Sequence, residues 1–206
     1  MPDNVNGLPT LGKTYLNGPN RTPDSTATSS KAIEGIVKIF KNVNYNSTVG
    51  SQVKDTVTGG EVTAILVRNA STVSLLPGRT VVWKTLSQGK QVDGYTGVDG
   101  DYCKVAGVVD PFLPSTGVAA NDYFWLIVKG PCLVKKSLDA NTLTSNDYVC
   151  AITAAASTST TAGRILSFVA TSNATFGVSQ AMNKIGVAMS TSNTTGADIL
   201  VRLDLY

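Results

Sequence analysis

The side chains best able to do chemistry in this chain are carboxylates. Asp93, Asp99 and Asp101 lie close together in an Asp-Gly-rich stretch, and oxygen ligands from one loop suit calcium. The spacing departs from the EF-hand loop. Cys103 stands where an oxygen ligand is required, and no glutamate follows. Asp-Gly pairs are ordinary hairpin connectors, so this stretch predicts turns and no metal. Glu34, Glu61, Asp110, Asp122 and Asp139 are the remaining candidates for acid chemistry. Glycoside hydrolysis needs two acids about 5–10 Å apart across a cleft, and nothing in their spacing selects a pair.

Histidine is absent from all 206 residues. That removes the commonest general base, the histidine-dependent triads and the commonest zinc ligand together. The 3 cysteines, Cys103, Cys132 and Cys150, form no CxxC pair. Each sits among β-forming neighbours and reads as a small buried strand residue. GxGxxG does not occur; Gly7-Leu-Pro-Thr-Leu-Gly-Lys-Thr14 fits GxxxxGK[ST] in letters, but it lies in a proline-rich stretch with no strand-like run before it and no helical stretch after it, and Gly59-Gly60 precedes a strand-like run. The expectation is no catalytic residue, no metal, no cofactor, and no enzyme.

The elements that must position these residues are strands. Charged residues make up 15% of the chain, well under the roughly 25% of ordinary soluble domains. The formal charge is +3, from 17 basic and 14 acidic residues, and no basic run is long enough for a nucleic-acid patch. No stretch approaches 18 consecutive apolar residues, so no membrane-spanning helix is expected. Residues 1–30 hold no apolar secretory core. With cysteines that read as reduced, this predicts folding in a reducing cytoplasm.

Residues 1–30 hold Pro2, Pro9, Pro19 and Pro23, half of the 8 prolines. Prolines at that density exclude a helix or a central strand. The segment reads as an extended N-terminal arm, with Leu8, Leu11, Tyr15 and Leu16 spaced to dip into a neighbouring surface. Residues 31–206 read as one all-β domain, a sandwich or tulip-like barrel of short antiparallel strands. Strand-like runs recur at Ile36–Phe40, Val62–Arg68, Arg79–Lys84, Val105–Val109, Tyr123–Val128, Leu133–Lys135, Tyr148–Ile152, Ile165–Val169, Ile185–Met189 and Ile199–Leu205. Pro77-Gly78 marks a turn. Residues 154–161 read as an exposed Ser/Thr loop, and Val178–Lys184 is the best short helical stretch.

One pattern occurs twice. Lys104-Val-Ala-Gly107 leads, ten residues after its glycine, to Thr116-Gly117, then Asp122 and an apolar run. Lys184-Ile-Gly186 leads, again ten residues after its glycine, to Thr195-Gly196, then Asp198 and an apolar run. Each copy reads as strand, glycine-bearing loop, acidic turn, strand. Trp83, Tyr95, Tyr123, Phe124 and Trp125 could stack on sugars, although core packing accounts for most of them. In the run from Tyr123, alternate residues face opposite sides. Tyr123 and Trp125 share one face and Phe124 and Leu126 the other. Such a strand is covered on both sides, either inside a sandwich or at a subunit interface.

The segments Val105-Ala-Gly-Val-Val and Gly117-Val-Ala-Ala-Asn-Asp-Tyr-Phe-Trp-Leu-Ile-Val-Lys-Gly-Pro131 resemble bacteriophage capsid decoration (cement) proteins. The closing segments Ile185-Gly-Val-Ala-Met and Thr195-Gly-Ala-Asp-Ile-Leu-Val-Arg-Leu203 are similar to the closing strands of that group. The likeness spans about residues 60–206 and leaves the arm uncovered. It implies an all-β homotrimer on the outer surface of the virion capsid, bound to the major capsid protein. It also implies that arm or body side chains, with Leu8, Leu11, Tyr15, Leu16, Tyr123 and Trp125 as candidates, contact the shell or a neighbouring subunit. No nucleic acid and no membrane enter this picture. The alternative is a receptor- or carbohydrate-binding fibre or head-fibre module, in which exposed aromatics would stack on sugars.

Overall fold

The computed structural model describes residues 34–41, 61–96, 105–111, 113, 115–138, 142–152, 162–168 and 181–205. The arm and the 154–161 loop lie outside them. Ten strands run through the described residues: β1 (Val37–Lys41), β2 (Glu61–Asn69), β3 (Thr80–Trp83), β4 (Gln91–Tyr95), β5 (Val105–Val109), β6 (Tyr123–Lys135), β7 (Tyr148–Ala151), β8 (Ile165–Ser167), β9 (Lys184–Ala188) and β10 (Asp198–Asp204). The protein is all-β, as its pattern of short β-branched and aromatic runs predicts.

Three local expectations change. Asp93-Gly94, read as a turn, lies inside β4. The runs at Tyr123 and Leu133 are one strand of 13 residues that continues through Gly130-Pro131. Gly130 has φ +97°, and a Cβ on it would collide with the Glu61 carbonyl. The strand therefore passes this point only because the residue has no side chain. In the stretch from Val178, Ala181 and Met182 are helical, and Lys184 then opens β9.

The strand pairings close two rings that share β6. In the first, β2 pairs with β6, β6 with β5, β5 with β3 and β3 with β4, all antiparallel. A short parallel contact, Arg68↔Gln91 and Asn69↔Val92, returns β4 to β2. In the second, β6 pairs with β10, β10 with β9, β9 with β7 and β7 with β8, again all antiparallel. A parallel bridge, Lys136↔Ile165, returns β8 to the end of β6. The connectivity of the two rings is the same, step for step. Lys129 is the hand-over residue, in register with Thr63 of β2 and with Asp204 of β10. The twofold sequence pattern thus maps onto β5–β6 in one ring and β9–β10 in the other.

The loops repeat as well. Leu75 bridges Val118 in the first ring and Leu143 bridges Ser192 in the second. Three residues beyond Leu75, Val118 and Leu143 stand Gly78, Asn121 and Asn146, with φ of +69°, +69° and +75°. Asp122 N–H donates to the Ala119 carbonyl at 3.1 Å, and Asp147 N–H to the Thr144 carbonyl at 3.0 Å. These are two copies of one tight turn, written in sequence as Asn-Asp-Tyr at 121–123 and at 146–148. Asn is the side chain that best tolerates the left-handed region after glycine.

One apolar core runs through both rings, from Val62 and Ala64 to Val201 and Leu203. The six residues Tyr123 to Val128 are all buried. The strand covered on both faces is therefore internal to this chain. Phe124, Leu126 and Ile127, almost wholly removed from water, each contribute about 1.5–3 kcal/mol by burial.

Candidate interaction surfaces

The carboxylates do not gather. Asp93 is exposed on β4, Asp110 is buried, and Asp99, Asp101 and Asp139 lie outside the described residues. Glu34 faces Arg68 as an ion pair at 3.2 Å, and Lys135 and Lys129 hold Asp198 and Asp204 at 2.8 and 3.6 Å. Among the described residues, no three Cys, Asp or Glu side chains come together as a metal site would require. Cys132 and Cys150 are buried thiols outside any disulfide, and Cys103 lies outside the described residues. Burial pushes the Cys150 thiol up to about 12, so it stays protonated and unreactive at neutral pH.

Buried polar side chains mark the junction of the rings. Arg79 donates to the Ala162 carbonyl at 2.6 Å, and Arg164 to the Lys136 carbonyl at 2.8 Å. Burial, with Arg164 nearby, brings Arg79 down to about 10, still charged at neutral pH. The Thr80 and Thr96 hydroxyls share a hydrogen bond of 2.6 Å. The Tyr95 hydroxyl accepts from Leu76 N–H and donates to the Ser74 carbonyl. The two arginines and Tyr95 lock backbone and the two threonines satisfy each other, which is structural work. Asn69 does the same at the ring end. Its amide donates to the Val73, Val118 and Ala119 carbonyls, tying the two bridging loops together.

Of the residues expected at a contact, Leu8, Leu11, Tyr15 and Leu16 lie outside the described residues. Tyr123 and Trp125 are 2% and 5% exposed and belong to the core. Tyr95 and Phe124 are also buried. Trp83 is half-buried. Among the described residues, the exposed aromatic side chains are Tyr148 and Phe168, at 53% and 38%. In the sequence they are single aromatics within short runs, and nothing there shows which face they take.

Two surfaces stand out. The first is at β1. Ile36, Val37, Lys38 and Ile39 are all exposed, so this edge strand is uncovered on both faces. Val37 is opposite Ile65 in register. Beyond Ile65 a shallow groove continues along Trp83 to Leu86 and Gly35. Leu86 is almost fully exposed and held at φ +63°, a strained backbone for a leucine. On the other face, the Lys38 ammonium lies 5.6 Å from the centre of the Trp125 ring.

The second surface is the outer face of the second ring. Phe168 N–H bonds to the Tyr148 carbonyl, Tyr148 is opposite Val187, Val187 opposite Arg202 and Arg202 opposite Pro131. Side chains opposite one another share a face, so these five form a row from Phe168, just past β8, across β7, β9 and β10 to β6. Beside it, Leu200 and Leu133 pair as a small cluster of their own, next to the exposed Met189. An irregularity in β9 skips Ile185 and sets Lys184 opposite Cys150. The Lys184 ammonium then sits 3.8 Å from the centre of the Tyr148 ring, a cation–π contact.

The fold and these surfaces define an all-β protein of two like-connected rings, with exposed apolar and cationic side chains at β1 and on the outside of the second ring. No protein-family model matches the chain, and no curated protein matches it. Among solved structures, it is similar to a chain of the capsid of Myoviridae Phage XM1. The TM-score is 0.42 with 13% sequence identity, covering 80% of this chain and 100% of that one.

Proposed function

We propose that the chain is a bacteriophage structural protein. In this reading it is a cement subunit, made in the host cytoplasm, that sits as a homotrimer on the outer capsid surface and stabilises the assembled shell. Residues 1–30 contact the major capsid protein or a neighbouring subunit. The observation that supports this most is β1, an edge strand bare on both faces with Val37 and Ile39 at 56% and 59% exposure. Such a strand is a template for pairing with another chain unless something covers it. It also follows directly on the proline-rich arm in sequence. A protein that binds the assembled shell and not its dissociated subunits stabilises the shell by mass action, and repeated copies add avidity.

The test is native mass measurement, followed by cosedimentation of the full chain and of a chain lacking residues 1–30 with empty capsids of its phage. The expected results are a trimer mass, and loss of both decoration and heat protection on truncation. A monomer that fails to sediment with capsids would overturn the reading. Full protection by the truncated chain would remove the arm from it.

A further inference from the structure

We propose that the outer face of the second ring is the surface that meets the shell, and that it docks a protein surface presenting carboxylates. This rests on the cement reading above.

The composition of the face is that of an interface centre. Phe168, Tyr148, Met189 and Arg202 are exposed on the outside of the ring, on or beside the neighbouring strands β8, β7, β9 and β10. Aromatics, Met and Arg are the residue types enriched at the centres of protein interfaces, and Tyr and Arg are prominent among hot spots.

The charge on the face selects the partner. It carries four cations, Lys129, Lys135, Lys184 and Arg202, and two carboxylates, Asp198 and Asp204. Both carboxylates are taken by lysines, through Lys135–Asp198 and Lys129–Asp204. Arg202 and Lys184 have no carboxylate partner among the described residues. Lys184 is held over the Tyr148 ring, and exposed Arg202 stands between Val187 and Pro131 in the row. An acidic protein surface would complete both.

The experiment is cosedimentation of the full-length protein with empty capsids of its phage at 50 and 300 mM NaCl. It compares wild type with Arg202→Glu, Tyr148→Ala, and Lys90→Glu as a matched charge reversal on an exposed residue of the first ring. Thermal melts confirm that each variant folds. Expected are wild-type binding that weakens with salt, a loss of at least about tenfold for Arg202→Glu and Tyr148→Ala, and wild-type behaviour for Lys90→Glu. If wild type binds and both ring-two variants bind equally well, this face is not the docking surface, although the cement reading stands. If wild type does not bind capsids, both fall. If Arg202→Glu and Tyr148→Ala spare capsid binding but abolish binding on a glycan array, the face serves a saccharide and the proposal is overturned.

Discussion

Thr80 of the first ring donates its backbone N–H to the Gly163 carbonyl beside the second, at 2.7 Å. The bond joins the rings at a point where no side chain fits. Gly163 has φ +69°, and a Cβ there would lie 2.8 Å from the Thr80 oxygen and 2.6 Å from Tyr95 Cδ1. Gly163→Ala combines a left-handed alanine, at about 1–2 kcal/mol, with overpacking of about 1–3 kcal/mol. Urea denaturation should show a loss of at least about 2 kcal/mol in a single transition. A change under about 0.5 kcal/mol would show that the junction is slack.

Asn121 and Asn146 occupy the same position of the same turn in different loops. Asn121→Ala and Asn146→Ala should each cost about 1 kcal/mol, because alanine resists positive φ. Replacement of either by Gly should stay within a few tenths. Unequal alanine costs would mean that the turns share a shape but not a role.

The Cys150 thiol is raised by burial from 9.0 to about 12. Between those values the unfolded chain loses this proton and the folded chain keeps it. Stability from Cys150 is therefore complete below about pH 9 and falls as pH rises towards 12. Comparing denaturation midpoints at pH 8 and 10, Cys150→Ala should flatten the decline seen in wild type. In native protein at pH 8 a thiol reagent should not label Cys150, and unfolding should expose it. Rapid labelling of the folded protein would contradict this burial.

Val37 and Ile39 are exposed and contribute little to the fold of one chain. The double change Val37→Lys, Ile39→Lys should leave the melting temperature of the dissociated protein within about 2 °C, since exposed substitutions usually stay within 0.5 kcal/mol. If β1 is an intersubunit edge, the variant should also shift the native mass towards monomer. An unchanged trimer would place the subunit contact elsewhere.

Much of the body was legible because strand periodicity is local. The runs at Val62, Val105, Tyr148, Ile185 and Ile199 all correspond to strands, and Pro77-Gly78 to a turn. Asp93-Gly94 was not legible as strand. A glycine at φ +105° looks the same in sequence whether it bends a strand or ends one. The gap at Gly130-Pro131 misled for a related reason. Its meaning depends on the Glu61 backbone, which is remote in sequence and adjacent in space. Tyr123 and Trp125 illustrate the limit for surfaces. Alternation shows that they share a face, but not that the same chain covers it.

By itself the sequence determined the all-β class, the absence of histidine chemistry, the proline-rich composition of residues 1–30 and the twofold hairpin pattern. Each depends on residue types and on spacing within a few residues. Only the tertiary structure decided that the two hairpins belong to two rings of identical connectivity joined through β6, because closure depends on pairs such as Asn69↔Val92 and Lys136↔Ile165. It alone also decided which aromatics face water. Exposure is set by what packs over a residue, and the row from Phe168 to Pro131 is assembled from five segments that no local pattern links.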